Sequence, residues 1–135
     1  MRTLTRLLLA LSSALALATA SAASMDGGKE ISTALDHAQL AAAGTDLKTV
    51  DMHLHHVVNC LVGPKGKGFD AGAGDPCKDM GDGALGDSAK DKHQHAELER
   101  ALHLADRGLA DKDLKGAQKY AAEVIAHLKA AKGAG

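Results

Sequence analysis

The segment LKTVDMHLHHVVNCLV, which runs from Leu47 to Val62, has the most regular apolar pattern in the chain. Its large apolar residues recur every three or four positions, which is the period of an amphipathic α-helix. Between them lie three of the eight histidines and one of the two cysteines of the chain. The segment therefore predicts a helix that packs one face into a core and carries metal-binding side chains beside that face. The apolar positions are Leu47, Val50, Leu54, Val57 and Leu61.

The same period occurs in three further segments, which cover residues 28–43, residues from Ser88 to about Gly108, and residues from about Asp111 to the C-terminal tail. No segment alternates with a period of two, so the predicted fold class is all-α. Short turns join the first two helices and the last two. This connectivity predicts an up-down-up-down four-helix bundle. Asp46 is expected to cap the second helix, and Ser88 to begin a capping box before the third.

A Gly-rich loop, residues 63–87, separates the second and third predicted helices and contains eight glycines and two prolines. A loop of this length in a small domain is usually functional or tied down. Cys60 and Cys77 are the only cysteines. Residues 1–22 resemble a signal peptide, and two cysteines in an exported chain predict a disulfide. This bridge would tie the loop to the second helix. The spacing of the two cysteines fits neither a C-x-x-C redox motif nor a C-x-x-C-H haem attachment site.

Residues 1–22 are predicted to be a cleaved signal peptide, with Arg2 and Arg6 before an apolar run and small residues at an A-x-A site. The run is shorter than the ~20 residues that span a membrane. We therefore expect a periplasmic protein with a single domain, residues 23–135, and no membrane association after cleavage. That domain has 14 basic and 17 acidic residues, a balance that gives no basic surface for nucleic acid.

The histidines fall at related heights in the predicted bundle. His37 and His53 each lie eight residues from the first turn, and His95 and His127 each lie about sixteen from the last turn. His56 follows His53 by three residues, which places both on one helix face. Neutral imidazole suits copper, nickel and zinc, and we favour copper. His55, His93 and His103 are expected at the surface. The predicted metal ligands are His37, His53, His56, His95 and His127.

The helices resemble those of the SmbP-like small periplasmic metal-binding proteins, histidine-rich four-helix bundles with a repeated H-A-x-x-A-x-x-H pattern before a Gly turn. The matching pieces are DHAQLAAAGTD, QHAELERALHLADRG and QKYAAEVIAHLKAA. The resemblance implies a non-enzymatic protein that binds and buffers copper. Tyr120 and Cys60 stand where the pattern would place histidines, which implies fewer ligands. The Gly-rich loop with its cysteines is not part of that pattern.

Two other classes stay open on the sequence. A haem-binding bundle has enough histidines, but the chain has one Tyr, one Phe and no Trp, and a covalent haem motif is absent. A structural or partner-binding helical protein would use the long loop as its contact, with a partner that the sequence does not identify. An enzyme has the least support, because neither a nucleophile–base signature nor carboxylates at a distinctive spacing occur.

Overall fold

The structure is a computed structural model that describes residues 27–134. The predicted signal peptide, residues 1–22, lies outside the described residues. Within the described range the chain is all-α, with five α-helices, one short 3₁₀-helix and no strand. The helices are α1 (Gly27–Ala43), α2 (Leu47–Val62), α3 (Ala84–Asp87), α4 (Lys92–Ala110) and α5 (Leu114–Ala134), and the 3₁₀-helix is Ala71–Ala73. No helix in this range is long and apolar enough to cross a bilayer.

The four long helices enclose one core. Helix α1 packs against α2 and α5, and α4 packs against α5 and α2. The core is formed by the apolar stripes that the sequence predicts, because each helix has one apolar face that must be covered. Leu54 and Leu61 of α2 are fully buried, as are Leu98 of α4 and Leu128 of α5. Alanines fill most other core positions of α1 and α5, which allows their backbones to approach closely.

The helix boundaries follow local chemistry. Asp46 is the N-cap of α2, and its carboxylate accepts a hydrogen bond from the backbone N–H of Thr49 at 2.8 Å, as predicted. The predicted capping box at Ser88 is wrong. Asp91 is the N-cap of α4 and accepts hydrogen bonds from the N–H groups of His93 and Gln94. An aspartate adjacent to the helix satisfies these orphan donors directly, whereas the Ser88 hydroxyl donates to the carbonyl of Leu85.

The Gly-rich loop is folded onto the helices rather than free. The predicted disulfide is confirmed: Cys60 at the end of α2 is bonded to Cys77 in the loop, with the two Cα atoms 5.2 Å apart. The two ends of the loop also meet. A Cβ on Gly83 would lie 2.5 Å from the backbone nitrogen of Gly63, so only glycine permits this approach. The loop thus leaves α2 and returns to the same place, and it contains α3 and the 3₁₀-helix.

A buried carboxyl group joins the loop to α1. Glu30 is 1% exposed, and its Oε1 accepts a hydrogen bond from the N–H of Gly83 at 3.0 Å. Burial, followed by a hydrogen bond with Asp87, raises the pKa of Glu30 to about 7. Glu30 Oε2 and Asp87 Oδ2 are both buried and have no hydrogen-bond donor as a partner. Two ionised carboxylates side by side would repel each other, so we expect Glu30 and Asp87 to share one proton.

Candidate metal centre

Three of the predicted ligands converge on one point between α1 and α2. His37 of α1 places its Nδ1 atom 3.1 Å from Nδ1 of His53 and 3.2 Å from Nδ1 of His56, both on α2. The three ring centroids lie 4.6–5.7 Å apart. One ring nitrogen from each residue lies within 4.8 Å of the others. All three side chains are partly buried. We call these residues the histidine triad.

These separations match those of nitrogens that share one metal ion. Imidazole nitrogens bind zinc at about 2.0–2.1 Å. Two ligands at that distance are ~2.9 Å apart when they subtend a right angle and ~3.3 Å apart at the tetrahedral angle. The observed 3.1 and 3.2 Å fall between these values. The two contacts of His37 Nδ1 therefore have the spacing of nitrogens that share the first coordination sphere of a small transition-metal ion.

The tautomer of His56 follows from its second nitrogen. Nε2 of His56 lies 2.7 Å from the carbonyl oxygen of Ala73, in the 3₁₀-helix of the Gly-rich loop. A carbonyl only accepts, so Nε2 carries the hydrogen and donates it. In a neutral ring, Nδ1 then has no hydrogen and presents its lone pair to the other two histidines. Metal-binding histidines commonly have their second nitrogen held in this way by a carbonyl or carboxylate.

Without a cation, the triad is short of hydrogens. His56 Nδ1 has none to offer, and Nδ1 of a neutral His37 either donates or accepts but cannot do both. The two Nδ1 to Nδ1 contacts that meet at His37 therefore cannot each have a hydrogen of their own. Protonation of His37 and His53 is disfavoured as well. Burial, together with positive charge on His56, lowers the pKa of both His37 and His53. A metal cation binds nitrogens that are not protonated, and the lone pairs of such nitrogens converge here.

The structure does not bring His95 and His127 into the triad. Nδ1 of His95 lies 3.1 Å from the carbonyl of Leu85, and its Nε2 lies 3.6 Å from the carboxylate of Glu99. His127 Nδ1 donates to Glu97 Oε2 at 2.6 Å. This bond, with a contribution from Arg100, lowers the pKa of Glu97. Each histidine thus has a glutamate of α4 as its neighbour, and a role as metal ligand stays a prediction for both.

The remaining histidines lie outside the triad. Nδ1 of His55 is 3.7 Å from a carboxylate oxygen of Asp70 in the Gly-rich loop, and His55 is not one of the three histidines that could share a metal ion. His103 and His127 both line a shallow groove of about 430 Å³ beside α4. Within residues 27–134, the triad is the single group of three or more His, Cys, Asp or Glu side chains close enough to share a metal ion.

Sequence reasoning missed Asn59, which organises the loop beside the site. Its side chain is fully buried. Nδ2 donates to the carbonyls of Asp70 at 2.8 Å and Gly74 at 2.6 Å, and Oδ1 accepts from the N–H of Asp70 at 2.8 Å. A signal was present in the sequence, because Asn59 interrupts the apolar run Val57–Leu61 and a buried amide needs partners. Those partners belong to a loop whose path the pattern of α2 does not encode.

Comparison of the chain with models of known protein families, with curated proteins and with solved structures found no match.

Proposed function

We propose that the protein binds a divalent transition metal through His37, His53 and His56 and buffers that metal in the periplasm. The observation that carries the proposal is the convergence of three Nδ1 atoms, with His37 Nδ1 lying 3.1 and 3.2 Å from the other two. In this reading the chain is an up-down-up-down bundle similar in function to the SmbP-like proteins, the metal is cargo, and no catalytic step is involved.

Copper is the metal we favour. An all-imidazole site accepts Cu(II), Ni(II) and Zn(II), and the affinity of nitrogen ligands rises toward copper in the Irving–Williams order. The two cysteines are joined in a disulfide, so they supply no thiolate that would favour a softer site. A partly exposed triad also allows the ion to enter and leave, which suits a buffer.

Geometry favours this proposal over a haem site. A haem iron with two histidine ligands takes them from opposite faces of a planar macrocycle. Nitrogens that lie 3.1 Å apart leave no room for such a plane between them. The partner-binding alternative predicts no dependence on metal and is separated from our proposal by the titration below.

The test is a calorimetric titration of metal-free protein with Cu(II), and in parallel with Ni(II) and Zn(II). A His53→Ala, His56→Ala double variant removes two ligands and should lose most of the affinity. His55→Ala is the matched control, because it removes the same side chain from the same helix between the two ligands. It should bind like the unaltered protein. Circular dichroism of each variant checks that the helices are retained.

Two results would contradict the proposal. If the unaltered protein binds none of the three ions above the level of a histidine-free helical protein, the triad is not a metal site. If His55→Ala weakens binding as much as the double variant, the histidines act as a diffuse surface rather than as a triad. Elemental analysis of untagged protein purified from the periplasm then identifies the metal that it carries in the cell.

A further inference from the structure

We propose that the Gly-rich loop is the outer coordination shell of the triad, and that Asn59 is the residue that positions it. Asn59 holds residues 70–74 so that the Ala73 carbonyl receives the Nε2 hydrogen of His56. This fixes which nitrogen of His56 faces the metal. The expected effect on metal affinity rests on the proposed function, whereas the tautomer of His56 is measurable in the absence of any metal.

The Gly-rich loop contacts the histidine triad through one hydrogen-bond acceptor. The carbonyl of Ala73 lies 2.7 Å from His56 Nε2. In neutral imidazole in water the two tautomers interconvert, and only the one with the hydrogen on Nε2 presents the Nδ1 lone pair to His37. A fixed acceptor on Nε2 selects that tautomer before the metal arrives, and it also prevents the ring from rotating about its Cβ–Cγ bond.

Hydrogen bonds from Asn59 hold the segment that carries this acceptor on both sides. Asn59 stands three residues after His56 on α2, so both side chains project from one face of the helix. Its amide bonds the carbonyls of Asp70 and Gly74 and the N–H of Asp70. These three bonds bracket the 3₁₀-helix Ala71–Ala73 on both sides. The Cys60–Cys77 disulfide fixes the loop three residues beyond Gly74.

The backbone at Gly74 has a geometry that a plain linker would not need. Gly74 has φ +91° and ψ 164°, a conformation that is essentially restricted to glycine. It orients the Ala73–Gly74 peptide so that its carbonyl points at His56. A Cβ at Gly74 would lie 3.7 Å from His56 Nε2, so the histidine ring packs directly against this peptide.

The experiment compares substitutions at two glycines with a similar positive φ. Gly74→Ala places a side chain at φ +91° next to the Ala73 carbonyl, and Gly68→Ala does so at φ +95° in the same loop, where the new Cβ would meet only Val58, at 3.8 Å. Asn59→Asp is a second route, since it retains the acceptor for the Asp70 N–H and removes both donated bonds. Mass spectrometry after alkylation verifies that the disulfide has formed in each variant.

Two readouts are taken. Nitrogen-15 NMR of metal-free protein reports the tautomer of His56. If the loop had a merely structural role, His56 would be a mixture of its two tautomers. We expect a single tautomer, with the hydrogen on Nε2, in the unaltered protein and in Gly68→Ala, and a mixture in Gly74→Ala and Asn59→Asp. Cu(II) affinity should fall on the order of 10- to 100-fold in the latter two variants, the usual effect of losing an outer-shell partner.

The outcomes separate the two proposals. A mixed tautomer in the unaltered protein, or equal losses of affinity in Gly74→Ala and Gly68→Ala, overturns the outer-shell role while copper binding by the triad stands. A single tautomer in protein that binds no metal overturns the proposed function, and the outer-shell role with it.

Discussion

Replacing Glu30 by Gln should stabilise the protein at alkaline pH and leave it almost unchanged at acid pH. The glutamine stays neutral at every pH. Its carbonyl can accept the Gly83 N–H as the carboxyl group does, and its amide can donate to Asp87. The variant thus supplies permanently the hydrogen that the native pair of carboxyl groups shares only while Glu30 is protonated.

The sign and size follow from the pKa of Glu30, which is 4.5 in an exposed chain and about 7 in the folded protein. Between these values the folded state binds the proton more tightly than the unfolded state, so stability falls as pH rises and reaches its lower plateau above 7. At about 1.4 kcal/mol per pKa unit, the full loss is about 3 kcal/mol. For a domain of roughly 110 residues this corresponds to a shift in Tm of ~13 °C.

Urea unfolding is monitored by circular dichroism at about pH 5 and at about pH 8.5. In the unfolded state the Glu30 carboxyl group is largely ionised at both pH values, whereas in the folded state it is ionised only at the higher one. Glu97→Gln is the control of opposite sign. His127 and Arg100 lower the pKa of Glu97, so its neutral replacement should destabilise the protein. Equal gains in stability of Glu30→Gln at both pH values, or no gain at the alkaline one, would contradict the raised pKa of Glu30.

Three further outcomes are expected. Cu(II) affinity should stay nearly constant down to about pH 6.5 and fall below it, because the lowered pKa of His37 and His53 delays proton competition; an affinity that is flat to pH 5 would indicate carboxylate ligands instead. Chelation should leave the helical circular dichroism signal intact, since the core is apolar; conversion to coil would make the metal structural. Leu54→Ala, at a fully buried position, should cost about 2–5 kcal/mol in urea unfolding, and a loss below 1 kcal/mol would contradict the packing of α2.

Local sequence patterns predicted the four long helices and the contact between His37 and His53, but not α3 or the 3₁₀-helix of the Gly-rich loop. The predicted bounds 47–62 for the second helix are those observed for α2, because apolar period and an aspartate cap are both local properties. The meeting of His37 and His53 was also predictable, since equal distances from a tight turn place two residues side by side. His56 follows from its spacing to His53 on the same helix.

The hydrogen bonds that complete the site join segments that are distant in the chain. The Ala73 carbonyl reaches His56 across 17 residues, and Glu30 meets Gly83 across 53 residues, so no local period encodes either contact. The same limit applies to His95 and His127, whose neighbours are set by how α3 and α5 pack against α4. A helical pattern fixes the direction of a side chain on its own helix, whereas the partner it meets depends on the path of a loop. That path is set here by the disulfide, the buried Asn59 and the close approach of Gly63 and Gly83.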